Sequence, residues 1–204
     1  WKPSNFAGQF QGEVTLRTAL KNSMNVPSIR ILDKVGVGNA IQYAQTLGIE
    51  SELRPELGLA LGASCVTMGE MVRVYATFAN QGVRVERRFI TRIEDREGKV
   101  VYDNGAPRDP WASFSTRARR ALDWTASPPN QVQDARVSFL ISKLMRNVVE
   151  EGTGTAARRV GVPLAGKTGT TNDSFDAWFS GFTPELVTSV WVGFDDYVLP
   201  MGSY

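Results

Sequence analysis

Residues 163–194 run PLAGKTGTTNDSFDAWFSGFTPELVTSVWVGF, and the reading of this stretch decides the fold. Three blocks in it, Pro163 to Thr170, Asp176 to Thr183 and Val187 to Phe194, are rich in the Trp, Phe, Val and Thr that suit a pleated, half-buried surface. The link holding Pro184-Glu185 is too short for a crossover, so the last two strands are expected to be antiparallel neighbours. Upstream of this stretch the periodicity is helical. Helices segregated from an antiparallel sheet make an α+β fold, a layered sandwich.

Working back from the sheet, Val137, Leu140, Ile141, Leu144, Met145 and Val148 form one helical stripe that Gly152 ends. Residues 104–133 hold four prolines and little periodicity, the least ordered-looking stretch of the chain. Before them, Phe89 to Ile93 and Val100 to Tyr102 flank a polar turn from Asp95 to Lys99, which is a hairpin signal. Thr67-Met68-Gly69-Glu70 has the spacing of a capping box and opens a helix carrying Met71, Val74, Tyr75 and Phe78, which stops by Gly82. Residues 50–66 are irregular around Pro55 and Gly58. Nearer the start, Thr15 caps a helix bearing Leu16, Ala19 and Leu20. Pro27 fits the first turn of a second helix that runs to Gly36, and Asn39 caps a third, Ala40 to Leu47, that Gly48 terminates.

The 204 residues are one domain's worth of chain or a generous part of one, and 42% hydrophobic against 22% charged residues is a globular balance rather than a disordered one. There is no histidine, which removes Ser-His-Asp and Cys-His catalysis and every metal site built on imidazole. The single cysteine, Cys65, excludes an internal disulfide and reads as a small buried apolar residue. A net charge of +2 gives no reason to expect a nucleic-acid partner. No stretch approaches the roughly 18 to 20 apolar residues that span a bilayer. Trp1 to Phe6 lacks a signal-peptide pattern and an initiator Met, so the chain reads as an excised piece whose targeting segment lies elsewhere.

Two short motifs carry chemistry: Ser23-Met24-Asn25 at a helix end, and Lys167-Thr168-Gly169-Thr170 in the first strand of the sheet. Each has a bland explanation. Ser23 and Asn25 could simply cap a helix, and Lys167 to Gly169 could be a solvated edge with a bulge. Together, and in this order, they match the serine acyl-transfer chemistry that runs without histidine. There a lysine of lowered pKa deprotonates a serine, a second serine relays the proton, and a cation with a hydroxyl holds a substrate carboxylate.

Longer text carries a resemblance. It lies in Val14 to Leu20 running into Ser23-Met24-Asn25-Val26-Pro27, and in Leu57 to Gly62 together with Tyr75 to Gly82. It continues in Gly152-Thr153-Gly154-Thr155-Ala156-Ala157, Leu164 to Asp173, and Asp176 to Pro184. Over almost its whole length the chain resembles the transpeptidase domain of class A, bifunctional penicillin-binding proteins. The resemblance makes residues 1–204 the C-terminal part of one such domain. Within it, 1–82 is the helical part with Ser-x-Asn, 83–133 the hairpin and irregular loop, and 134–204 a helix and antiparallel strands with Lys-Thr-Gly. It implies a peptidoglycan cross-linking enzyme outside the cytoplasmic membrane, anchored by a segment upstream of this chain. Its substrate would be a stem peptide ending in D-Ala-D-Ala, and β-lactams would be its inhibitors. No metal or organic cofactor is implied.

By the same resemblance Ser23 passes the proton between a lysine and the amine that leaves or enters, and Asn25 bonds the stem peptide. Lys167 adds positive potential, Thr168 bonds the terminal carboxylate, Gly169 lets the substrate strand approach, and the Thr170 N–H is half of an oxyanion hole. One departure is large. The family's nucleophile motif, Ser-x-x-Lys, is missing, since the residues three before the lysines from Lys21 onward are Thr18, Ile31, Arg96, Leu140 and Leu164. The nucleophile is therefore expected upstream of Trp1, with the isolated chain inactive and an apolar face left open to dimerisation. Thr18-Ala19-Leu20-Lys21 imitates the motif but reads as surface and core positions of a helix.

Weaker signals are set aside as structural. Trp178, Phe179, Trp191 and Phe194 read as core aromatics, and Arg84, Arg87, Arg88 and Arg92 as a solvated face rather than a site for an anionic polymer. Two alternatives stand beside the transpeptidase. One is a serine β-lactamase, whose Glu-x-x-Leu-Asn loop Glu50-Ser51-Glu52-Leu53-Arg54 approaches with Arg54 in place of Asn. The other is a non-catalytic module of the same fold that binds β-lactams or acts as a scaffold.

Overall fold

A computed structural model describes residues 5, 11–103, 130–171, 174–196 and 199–202. Helix α1, Leu16–Lys21, starts where the Thr15 hydroxyl accepts from the Thr18 amide. Helix α2, Asn25–Val35, carries Pro27 in its first turn, where the absent N–H costs nothing. Helix α3 is Val37–Leu47, three residues longer at its start than the sequence suggests. Asn39 does not cap it. Its side-chain amide donates back to the Val35 carbonyl at 2.8 Å, tying the end of α2 to the start of α3.

Helix α4, Met68–Ala79, forms the full capping box: the Thr67 hydroxyl accepts from the Glu70 amide while the Glu70 carboxylate accepts from the Thr67 amide. Glu70 does more than cap. It is 2% exposed, and its carboxylate also accepts from the Glu50 and Ser51 amides at 2.6 Å and the Ser51 hydroxyl at 2.7 Å. One buried carboxylate thus closes the loop 50–66, whose 3₁₀ turn, Leu57–Leu61, packs on α2. One turn on, Arg73 is also buried and pairs with Glu50 at 2.6 Å and Glu86 at 3.4 Å. Its stem lies over Gly48, where a Cβ would sit 2.6 Å from Arg73 Cδ and where φ is +116°. Only glycine serves there. Cys65, in the same loop, is exposed rather than buried, because the loop is held by this polar hub and not by apolar packing.

The hairpin pairs strand β1, Arg92–Glu94, with β2, Val100–Asp103, around the expected turn, though β1 begins three residues later than Phe89. Of the irregular region 104–133, residues 104–129 lie outside the described residues; Val83 bridges Gln131 just after it. Arg84, Arg87 and Arg92 are not merely solvated. Arg84 donates to the Thr46 carbonyl at 3.4 Å, Arg87 pairs with Glu50 at 3.1 Å, and Arg92 pairs with Glu94.

Helix α5, Ala135–Glu151, buries Ser138, Met145, Val148 and Val149. This face is rotated from the expected stripe, for Val137 is 46% and Leu140 60% exposed. A serine occupies the seam position one turn before Ile141, so hydrophobicity alone points to the neighbouring stripe. Three strands follow in the order β3, β4, β5: Ala165–Thr170, Asp176–Phe182 and Val187–Gly193, all antiparallel. Helices α4 and α5 pack on one face of this sheet. Tyr75, Met145, Ala165 and Phe182 form the shared core, with Leu20, Met71, Phe78, Ile141 and Val187 packed against it. Tyr75 meets Phe182 edge-on, with ring centroids 6.5 Å apart.

Pairing of Trp178 with Trp191 and of Phe179 with Val190 puts the tryptophans on the helix side and Phe179 on the far side. Trp178, Phe179 and Trp191 are half-buried, and Phe194 is exposed, contrary to a core reading. The far side also presents Val190 and Val192 to solvent. No helix among the described residues is long and apolar enough to cross a membrane.

Candidate active site

Ser23 lies in the turn between α1 and α2 with φ +50°, a left-handed conformation that costs a residue with a Cβ. The turn is held by the Ser23 and Met24 amides donating to Leu20 and Ala19 at 3.1 and 2.9 Å. Neither Ser23 nor Asn25 caps α2. The cap residue is Met24, which supplies no side-chain bond, and the Val26 amide donates instead to the Asn5 carboxamide at 3.1 Å. With capping excluded, Ser23 is free for another use, and Asn25 stands half-buried in the first turn of α2.

Strand β3 supplies that use. Lys167 Nζ donates to Ser23 Oγ, joining residues 144 positions apart, and to the Thr168 carbonyl at 2.7 Å. Burial pushes the Lys167 ammonium down to about 8, because a desolvated cation loses more than its neutral form. A hydroxyl and a carbonyl answering one ammonium do not neutralise it. The site is a positively charged, partly desolvated corner with donors aimed inward.

The backbone of β3 is aimed as well. The Thr171 amide donates to the Asp176 carbonyl, so residues 169 and 167 share that bonding phase with β4, and residues 168 and 170 point their backbone groups the other way. Strand β3 is the outer strand of its sheet among the described residues. The Thr170 N–H and the Thr168 peptide groups therefore face its free margin. Gly169 faces β4 instead, with its Cα hard against Trp178: a Cβ there would stand 3.3 Å from Trp178 Cβ. It is a space-making residue rather than a backbone donor to the cleft.

A residue to which the sequence assigned no role completes the corner. Thr153 Oγ1 lies 2.7 Å from Thr168 Oγ1 and 3.4 Å from Ser23 Oγ. Its signal was present in the Gly152-Thr153-Gly154-Thr155 run, but nothing local says which neighbour it meets. The imitation motif is used elsewhere: Thr18 bonds the Thr15 hydroxyl at 3.0 Å, Ala19 is buried, and Lys21 pairs with Glu151 at 3.0 Å.

The family model "Penicillin binding protein transpeptidase domain" matches residues 1–194. The chain is 40% identical over 197 residues to penicillin-binding protein 1A of Neisseria gonorrhoeae, covering 96% of this chain and 23% of that protein. It is 36% identical over 201 residues to penicillin-binding protein 1A of Rickettsia typhi, covering 96% and 25%. Among solved structures, penicillin-binding protein 1A of Haemophilus influenzae superposes with a TM-score of 0.83 at 28% identity, over 99% of this chain and 33% of that one. PonA1 of Mycobacterium tuberculosis, solved in complex with penicillin V, superposes with a TM-score of 0.73 at 25% identity, over 97% and 52%. The chain spans about a quarter of the length of the curated relatives it matches. It belongs to the penicillin-binding protein transpeptidase family, and its residues are part of one such domain.

Proposed function

We propose that this chain is the part of a peptidoglycan D,D-transpeptidase that grips the substrate's carboxyl end and moves the proton, while the serine that is acylated lies outside these 204 residues. The observation that carries the reading is the Lys167 ammonium donating to the Ser23 hydroxyl. The outside serine attacks the D-Ala-D-Ala carbonyl, D-alanine departs with a proton, and an amine of a second stem peptide then displaces the serine. Ser23 carries the proton to the departing amine and receives one from the incoming amine. Asn25 bonds the stem backbone, and Lys167 keeps the general base in its neutral form by positive potential. Thr168 donates to the terminal carboxylate, Gly169 keeps space beside it, and the Thr170 N–H is half of the oxyanion hole.

A β-lactam, which carries the same carboxylate beside a strained amide, enters the same cleft; the Mycobacterium tuberculosis relative was solved in complex with one, penicillin V. Stem peptides place the reaction outside the cytoplasmic membrane, with the anchor in a segment outside this chain. The β-lactamase alternative needs Glu50 as a free base. Glu50 is instead held by Arg73 at 2.6 Å and Arg87 at 3.1 Å, which favours a long-lived acyl-enzyme.

Fluorescent penicillin is expected to label the complete protein covalently and to leave the 204-residue chain unlabelled. Labelling of the isolated chain would overturn the division of roles, and rapid turnover of a chromogenic cephalosporin by the complete protein would favour the hydrolase. A complete protein that takes no label would make the chain a scaffold. Pairing of two isolated chains through the open apolar face is checked on the same sample, where light scattering from a compact monomer rules it out.

A further inference from the structure

Four residues from three parts of the chain close a ring: Lys167 bonds Ser23, Ser23 meets Thr153, Thr153 bonds Thr168, and the Thr168 carbonyl accepts from Lys167. Its hydrogens can be counted. Three hydroxyls and an ammonium hold six, and the four bonds of the ring use four. Two donors remain without an acceptor in the ring, and among the described residues no carboxylate bonds any of the four. Such a ring is an acceptor-poor corner that an anion completes. The Thr153–Thr168 contact at 2.7 Å satisfies one hydroxyl with the other, and a bound carboxylate lets both donate to it in charge-assisted bonds.

We propose that Thr153 is the second hydroxyl of the carboxylate site, donating beside Thr168 to the terminal carboxylate of the stem peptide or β-lactam, so that it sets specificity for the anionic end; this rests on the transpeptidase reading above. Its placement is built by backbone alone. The Thr153 amide donates to the Lys21 carbonyl at 3.0 Å and the Gly154 amide to the Val148 carbonyl at 3.0 Å. Gly152 permits that approach, since a Cβ there would lie 2.2 Å from the Lys21 carbonyl oxygen. Arg17 and Lys21 on α1 both reach Glu151 at the end of α5, so the two helices are fixed without the hydroxyl. A purely structural Thr153 would need its N–H and not its Oγ1.

The test uses the complete protein with Thr153→Val and Thr153→Ser, and measures second-order acylation rates with benzylpenicillin and with its uncharged methyl ester. Valine is expected to slow benzylpenicillin by about 10- to 100-fold, the effect of one hydrogen bond to a charged group, to slow the ester by a clearly smaller factor, and to be rescued by serine. Equal losses with both probes, or no loss with benzylpenicillin, would overturn the assignment of Thr153 while leaving the transpeptidase reading intact. A parent protein that neither probe acylates would remove both together.

Discussion

Lys167→Met in the complete protein is expected to slow acylation by benzylpenicillin on the order of 100- to 1,000-fold without lowering the thermal midpoint. The loss follows from removing the positive potential at Ser23. The tolerance follows from the cost of that charge, since burial holds the ammonium at about 8 against an ordinary 10.5. A folded state that binds a proton less readily than the unfolded chain bears its cost in full below pH 8, and the cost fades as pH climbs from about 8 to 10.5. Any stability advantage of the methionine variant should therefore shrink between those two pH values in denaturant melts. The rate has its own signature. If the charged form does the work, acylation falls as pH rises through about 8, and Lys167→Arg, charged at every accessible pH, flattens that limb. A rate that rises through the same window would make Lys167 a base instead.

Glu70→Gln carries the second large effect, and it acts on stability. Burial alone would raise the Glu70 carboxyl, but bonds from the Thr67 amide, the Ser51 hydroxyl and the Glu50 and Ser51 amides outweigh it and hold the group at about 2, against 4.5. A depressed carboxyl stabilises above its unfolded value, and that contribution is lost as pH falls from 4.5 toward 2. The variant should lose about 3 kcal/mol at neutral pH, a fall of roughly 6 to 12 °C in midpoint for a domain of this size. Its stability should also be flat over the acid range where the parent's declines. A midpoint within a degree of the parent's would show that the amides at Glu50 and Ser51 find other acceptors. Because the loop that Glu70 closes packs its 3₁₀ turn on α2, the same variant should also blunt acylation through Asn25 at the start of that helix.

Much of the fold was legible because its signals are local. Thr15 and the Thr67–Glu70 box cap helices three residues away, Asp95 to Lys99 close a hairpin within one turn, and the sheet alternates with a period of two. What local reasoning missed depends on distant partners. Asn39 caps nothing because the Val35 carbonyl is nearer its amide. Ser138 holds a seam position on α5 that no hydrophobicity pattern awards it, so the pattern points to the stripe with Val137 and Leu140. Glu70 and Arg73 look like surface residues of an amphipathic helix until the loop from Glu50 folds over them. Cys65 is a buried type of residue, but its loop is held by polar contacts and leaves it exposed.

The candidate site divides in the same way. Ser23 and Lys167 were found by the order of two motifs and a family resemblance, since nothing within either motif says that 144 positions of chain bring them into contact. That Gly169 lies close against Trp178 of β4 is set by which residues of the strand bond inward, which its motif does not say. Thr153 escaped because its role depends on two elements meeting at Gly152, where chain contact decides and composition does not.

Peptide mapping by mass spectrometry, after benzylpenicillin has reacted with the complete protein, tests most directly whether Ser23 relays a proton rather than accepting the acyl group. The expected adduct sits on a serine three residues before a lysine, in a segment outside these 204 residues, and the peptide that contains Ser23 is unmodified. An adduct on Ser23 itself would contradict the account.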